Sequence, residues 1–523
     1  MIVCAHFHSD RVEEVDRNWL QPSAGVQIAS QIDRSAYDVT LHHEMWHGPY
    51  GTDVPDADLV FLNGLQKDFD RQRQLSYLFR RKGALVVAGG SICTLFPAFA
   101  ARFFDAVCSG GVDSVRQVLA DFEKGSLRQI YVSPQTRISD YPIDYGVLGE
   151  NGIGGPVHLV EASRGCNFSC DFCAVPAEKA RHSAFGTDRV MAMIDDAIAA
   201  SPRWSLKRRF PMVAFIDNNF SDDRAYTREL LTRLRRHRRL RVWGALVTQE
   251  VLQDRGLVAD MAKSGCRVLF TGIESLDPKF LSAHNKRQNM KGSGSLLDDI
   301  AFARRRGIAV VYAYLLDARM STVEEMAQEV RALASIDALI FPTFISFVSP
   351  LAGTRLFWES AERGELRPGL RLRDLDGMSV AYRECRSSDE ELTRFAHTLF
   401  KRTADLVPAR RLTAKSLRAL LAPGGGRPFP RLVAFGANRR VLRLTRRTPD
   451  TVPRTYLGGT EVLDPQYASC PQDISAEDRE RYFEPVTVTD ADGNLAPWLE
   501  PYRPRPRRSR ALPVTTARQE PRP

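Results

Sequence analysis

Long apolar runs are missing from this 523-residue sequence. None reaches the roughly 20 residues that a membrane-spanning helix needs, and no basic segment near Met1 leads into an apolar stretch with a small-residue cleavage site. The expectation is a cytoplasmic protein with no membrane span. Cysteine is scarce too: nine residues, an odd number, grouped in only one place, which excludes a disulfide framework and suits a reducing compartment. No phosphate-binding loop is present, because Gly424-Gly425-Gly426 is not followed by Lys and Ser or Thr and reads as a linker. There is no internal repeat. Positive charge, by contrast, is in excess, at +10 near neutral pH. The arginines are spread over residues 233–239, 304–306 and 503–510, so they read as solvated faces and a nucleic-acid partner is not expected.

The single cysteine group is Cys166, Cys170 and Cys173, a C-x3-C-x2-C pattern with Phe172 just before the last thiol. A structural zinc site would want a fourth Cys or His at comparable spacing, and His182 falls outside any usual zinc knuckle. Three closely spaced thiolates fit an iron–sulfur cluster instead.

Apolar periodicity divides the chain. Residues 1–126 carry strand-like runs at 1–5, 37–41, 58–62 and 84–88, with helical patterns at 25–33 and 71–82, which predicts an α/β, Rossmann-like doubly wound sheet with ligands at its strand ends. Residues 127–155 read as a linker. Residues 156–350 hold six further runs, at 157–161, 212–217, 242–248, 268–273, 308–316 and 342–348, separated by amphipathic helices. Six such units predict a partial (β/α)6 barrel whose site lies at the C-terminal ends of its strands, and the cysteine pattern begins five residues past Glu161, in that place. A mainly helical extension is expected over 351–423, then a Pro/Arg-rich region over 424–523 ending in a disordered tail. Tyr312 and Tyr314 share one strand face. On the barrel's inner face they would be candidate catalytic residues, lining a pocket or relaying a hydrogen atom.

The cysteine pattern, with Ser163-Arg164-Gly165 before it, resembles the signature of radical SAM enzymes, specifically the cobalamin-binding subgroup. Thr271-Gly272-Ile273-Glu274-Ser275, Asn285-Lys286-Arg287 and the stretch from Ser349 to Leu356 resemble further elements of that subgroup, with Ala352 where proline is usual. Gly89 and Gly90, opening a segment that runs to Pro97, resemble a cobalamin-facing loop, and Asn63-Gly64-Leu65 holds the usual place after the third strand. The Asp-x-His-x-x-Gly motif, whose histidine ligates cobalt, is absent, and His42, His43 and His47 follow the wrong strand, so no histidine is expected on the lower face of the corrin.

The resemblance implies a [4Fe-4S] cluster on the three cysteines and S-adenosylmethionine at its open iron. It implies cobalamin held by Asn63, Gly64, Leu65, Gly89 and Gly90. Phe172, Asp217, Asn218, Asn219 and Glu274 are the remaining candidate cofactor contacts. The implied reaction is C-methylation of an unactivated carbon of a small or lipid-like metabolite, through a 5′-deoxyadenosyl radical and methylcobalamin, with electrons from an external donor such as flavodoxin or ferredoxin. Three alternatives stay open. One is a cobalamin-containing cyclisation, rearrangement or oxidation, and another is a cobalamin sensor without catalysis. The third, an RNA methylthiotransferase, would need a second cysteine triad, and the N-terminal Cys4, Cys93 and Cys108 lack its spacing.

Overall fold

The computed structural model describes residues 1–7, 11, 21–133, 142–290, 295–421, 428–444, 456–460, 467 and 469–504. Strands β1 (Ile2–Cys4), β2 (Leu41–His43), β3 (Leu59–Asn63), β4 (Leu85–Ala88), β5 (Ala106–Gly110) and β6 (Ile130–Ser133) form a parallel sheet in the order β2-β1-β3-β4-β5-β6. Its central strands β1, β3 and β4 are apolar almost throughout because both faces are covered. Val3, Val60, Leu62 and Val86 pack beneath Phe69, Leu75 and Phe79 of helix Phe69–Arg81. On the other face Ile2, Cys4, Phe61 and Val87 meet Val26 of helix Ser23–Ala29 and Val118 of helix Ser114–Glu123. The second strand, expected at 37–41, lies at Leu41–His43 instead, so His42 and His43 are within it. The sheet has two strands beyond the four singled out in sequence, and β6 falls within the stretch read as a linker. Serine and glycine break the apolar continuity of β5, and β6 has four residues only, which is why neither stood out.

The second sheet contains β7 (His158–Val160), β10 (Met212–Phe215), β11 (Val242–Val247), β12 (Cys266–Glu274), β13 (Ala309–Leu316) and β14 (Phe344–Phe347), all parallel, in the order β14-β13-β12-β11-β10-β7. A small antiparallel pair, β8 (Ser163–Arg164) and β9 (Ser183–Ala184), brackets the cysteine loop. Six strands in unbroken sequence order make a half-barrel. Phe215, Trp243, Leu269 and Leu316 on its outer face are buried under helices such as Thr187–Ala199 and Val323–Ser335. The latter helix starts with a capping box: Glu325 N–H donates to Thr322 Oγ1 at 3.3 Å and Thr322 N–H to the Glu325 carboxylate at 2.7 Å. The inner face stays partly open. Leu246 is 37% exposed and Phe344 51%, with Phe270 edge-on to Phe344.

Helices Arg355–Glu362, Asp389–Lys401 and Ala409–Leu421 follow. The chain then returns to the first sheet: Tyr482, Val486, Val488 and Leu499 join its core, Trp498 stacks on Phe99 at 4.0 Å, and Arg73 donates to the Glu484 carbonyl at 2.9 Å. Part of the Pro/Arg-rich region is therefore packed, its apolar positions having been masked by the average composition around them. The tail read as disordered, beyond residue 504, lies outside the described residues. No helix among the described residues is long and apolar enough to cross a membrane.

Candidate active site

The cysteine loop leaves the C-terminal end of β7 and folds back on residues 180–181. Gly165 makes this possible: its φ is +75°, and a Cβ there would lie 2.2 Å from the Arg181 carbonyl oxygen, an approach only glycine allows. Cys166 N–H donates to the Ala180 carbonyl at 3.1 Å and Cys173 N–H to the Cys170 carbonyl at 3.3 Å. Gln288, buried, donates from Nε2 to Cys170 Sγ at 3.2 Å. Lys286 lies within electrostatic reach of all three thiols. Burial pushes the Cys173 thiol up to about 11 and raises Cys166 as well, a bias that bound iron reverses by holding thiolates. Three thiols on one short loop fit a multi-iron cluster, in which each thiolate would hold its own iron.

Asp217, Asn218 and Asn219, at the exit of β10, clamp this loop. Asp217 accepts from Ser163 Oγ at 2.6 Å and from Ala162 N–H at 3.2 Å, and burial lifts its carboxyl to about 7. Asn218 Oδ1 accepts from Gly165 N–H at 2.9 Å. Asn219 donates to Asp222 at 2.7 Å, and the other Asp222 oxygen accepts from Asn167 at 2.5 Å. Asn219 also keeps Oδ1 buried without a partner among the described residues, an acceptor that a polar ligand atom would satisfy.

Glu274 ends β12 at φ +65°, after a bulge. Its carboxylate, buried, pairs with Lys286 Nζ at 2.8 Å. Immediately before this lysine stand His284 and Asn285. Asn285 donates to the Ser169 carbonyl at 2.8 Å, holding the loop from the far side. Buried His284 sits between Asp171 (3.4 Å) and Asp317 (3.2 Å). Burial alone would lower its pKa, but the two carboxylates outweigh that and hold it up at about 8. Phe172 packs beside this histidine and the helix Pro278–Ala283 rather than standing free. Sequence reasoning missed Asp171, His284 and Gln288. Asp171 was visible inside the pattern itself and His284 adjoined a recognised element, whereas nothing in the sequence marked Gln288.

Tyr312 and Tyr314 do not face the inner side. They lie in the outer-face core with the helices; Tyr314 OH donates to Glu329 at 3.0 Å and Tyr312 OH is buried without a partner. Period-two spacing placed them on one face but could not say which, and the assignment of both as catalytic residues is corrected here. The inner positions of β13 are Val311, Ala313 and Leu315, whose partners across the ladder, such as Phe270 and Phe344, also face inward.

In the first sheet the order reverses between β1 and β3, the place where open α/β sheets receive ligands. Gly64 and Gly90 meet there: Gly90 has φ +112°, and a Cβ on it would lie 2.4 Å from the Gly64 carbonyl oxygen. A Cβ on Gly89 would meet nothing closer than 3.9 Å, and Leu65 beside them is 66% exposed. Asn63 instead turns inward, its amide 3.3 Å from Cys4 Sγ. This floor of backbone with an exposed apolar side chain suits a large flat ligand, so the glycine loop fits a corrin. Ser91 Oγ, next in the loop, donates to Glu178 at 2.7 Å, just past the cysteine loop, and a Cβ on Gly353 would be 3.1 Å from Leu95.

The sequence model of the radical SAM superfamily matches residues 160–330. Bacteriochlorophyllide d C-12(1)-methyltransferase of Chlorobaculum tepidum is 24% identical over 67% of this chain and 76% of its own length. Hopanoid C-2 methylase of Rhodopseudomonas palustris is 24% identical over 58% of each. Among solved structures, the radical S-adenosylmethionine methyltransferase TsrM from Kitasatospora setae, with cobalamin and a [4Fe-4S] cluster bound, superposes with a TM-score of 0.55 at 16% identity, covering 84% of this chain and 98% of that one. Residues 160–330 thus match the radical SAM superfamily, and over about two thirds of its length the chain is similar to a bacteriochlorophyllide methyltransferase, with the fold of a methyltransferase solved with cobalamin and a [4Fe-4S] cluster bound.

Proposed function

We propose that this enzyme methylates an unactivated carbon of a small or lipid-like metabolite. It holds a [4Fe-4S] cluster on Cys166, Cys170 and Cys173, S-adenosylmethionine at the open iron, and cobalamin over the strand-end loops of the first sheet. The 2.7 Å Ser91–Glu178 hydrogen bond carries this reading, because it joins the glycine loop of one sheet to the chain just past the cysteine loop of the other. Groups held by the two loops would be neighbours across that boundary. When bound, the cluster supplies the electron that splits S-adenosylmethionine, and cobalamin supplies the methyl group.

The chain's own part is positioning. Asp217, Asn218 and Asn285 fix the cysteine loop from opposite sides, which keeps the reacting groups in register. Asn219 Oδ1 and the Glu274–Lys286 pair are the polar groups at the strand ends for the aminoacyl end of S-adenosylmethionine. Leu246, Phe270 and Phe344 offer a carbon wall on the inner face, which favours a substrate whose reacting part is hydrocarbon. The relatives named for methylating bacteriochlorophyllide d and hopanoid agree with methyl transfer. Electrons would come from an external cytoplasmic donor such as flavodoxin or ferredoxin.

Anaerobic reconstitution with iron and sulfide, with and without hydroxocobalamin, followed by visible spectroscopy, tests the proposal. Retention of both chromophores, and a product heavier by one methylene unit, is the expected result. Protein that keeps iron but no corrin overturns methyl transfer, and a product that has only lost hydrogens identifies a radical oxidation or cyclisation instead.

A further inference from the structure

Two adjacent helix-to-strand connections at the N-terminal end of the second sheet form a surface that neither the fold nor the active site uses. Residues 202–211 lead from helix Thr187–Ala199 into β10, and residues 237–241 lead from helix Arg224–Arg236 into β11. The strands they enter are paired, Met212 beside Val242. Arg239 Nη2 donates to the Arg208 carbonyl at 3.0 Å and ties the connections together.

The first connection presents Trp204 at 96% exposure, Leu206 at 76% and Phe210 at 64%. These three fall within seven positions, with Leu206 opening and Phe210 closing the single helical turn Leu206–Arg209. This end of a half-barrel serves stability rather than catalysis, and a tryptophan kept for stability would be buried. Clustered exposed apolar groups mark a contact surface.

The charge of the two connections themselves has one sign, although Asp195 of the preceding helix meets His237 at 3.1 Å. Residues 200–211 and 234–242 include Arg203, Lys207, Arg208 and Arg209, then Arg235, Arg236, Arg238, Arg239 and Arg241, with no acidic residue in either stretch. Arg208 is committed to the end of the preceding helix, donating to the Ala199 and Ser201 carbonyls. The five arginines of the second stretch are exposed, and none of them forms an ion pair among the described residues, although Arg228 and Arg233 nearby do. An indole, a leucine and a phenyl ring standing among unpaired arginines have the composition of an interfacial anchor.

The geometry points to a peripheral docking surface for an anionic lipid bilayer: Trp204, Leu206 and Phe210 enter the headgroup–acyl boundary while the arginines meet lipid phosphates. Nucleic acid would use the arginines and could stack on Trp204, but would leave Leu206 without a role. The docking end lies opposite the cysteine loop, so the active-site mouth stays clear of the headgroups.

Full-length protein is mixed with vesicles of phosphatidylcholine alone, or of equal parts phosphatidylcholine and phosphatidylglycerol, and sedimented. Binding to the anionic vesicles only, weakened by salt, is expected. The triple change Trp204→Ser, Leu206→Ser, Phe210→Ser should weaken it by about tenfold or more without lowering the melting temperature. A second variant, Arg235→Ser, Arg236→Ser, Arg238→Ser, should weaken it as well, and reports independently if the first fails to fold. A blue shift of tryptophan emission on binding should vanish in Trp204→Phe. No binding to the anionic vesicles, or binding that neither variant changes, overturns the proposal. Tight binding to duplex DNA or RNA without vesicle binding also overturns it, and assigns the arginines to nucleic acid.

Discussion

In the N-terminal sheet every residue of β1 and β3 is buried, whereas β10 and β11 of the second sheet alternate buried with half-exposed positions. Both sheets are parallel and six-stranded. The first is closed on both faces by helices and the returning C-terminal segment, so it can offer a ligand only the loops at its strand ends. The second is closed on its outer face alone, so it offers an area as well as an edge. The difference suits the division of labour proposed above, with a flat cofactor on the glycine loops of the closed sheet and radical chemistry in the hollow of the open one.

That contrast can be broken by mutation. Trp243, buried on the outer face against Phe215 and Phe220, should cost about 3–5 kcal/mol when changed to alanine. Leu246, three residues on and facing inward, should cost well under about 1 kcal/mol in urea denaturation; equal costs would mean that the second sheet is closed on both faces. In the first sheet, Gly90→Ala combines a strained φ with overlap on the Gly64 carbonyl and should cost roughly 2–4 kcal/mol. Gly89→Ala meets no such atom and should keep the fold, so corrin lost from that variant alone marks the contact surface directly.

A smaller effect comes from His284. Its pKa of about 8 lies above the unfolded value near 6.5, so its contribution is complete below about pH 6.5 and fades as pH rises through 8. The stability gap between the native protein and His284→Gln should shrink by about 2 kcal/mol between pH 6 and pH 9, measured by denaturant titration of the iron-free protein. A gap that widens with pH would show that Asp171 and Asp317 do not hold the imidazolium.

Much of this division was readable in the sequence. All six strands of the second sheet lie where apolar runs marked them, because strands covered on at least one face must carry such residues at regular spacing. The cysteine pattern was equally legible, since its chemistry dictates residue type and spacing together. The facing of Tyr312 and Tyr314 was not, because a strand's period fixes which residues agree but not which side meets the helices. Gln288 and His284 were hidden for another reason. They reach the cysteine loop from more than a hundred residues away in the chain, and no local pattern encodes such a meeting.

The separation of the two sites is tested most directly by Cys170→Ala, reconstituted anaerobically with iron, sulfide and hydroxocobalamin. Formation of 5′-deoxyadenosine from S-adenosylmethionine should be abolished while corrin retention stays at the level of the native protein. Unchanged 5′-deoxyadenosine formation would contradict the cluster assignment, and loss of corrin from a variant that still folds would contradict the division of labour between the two sheets.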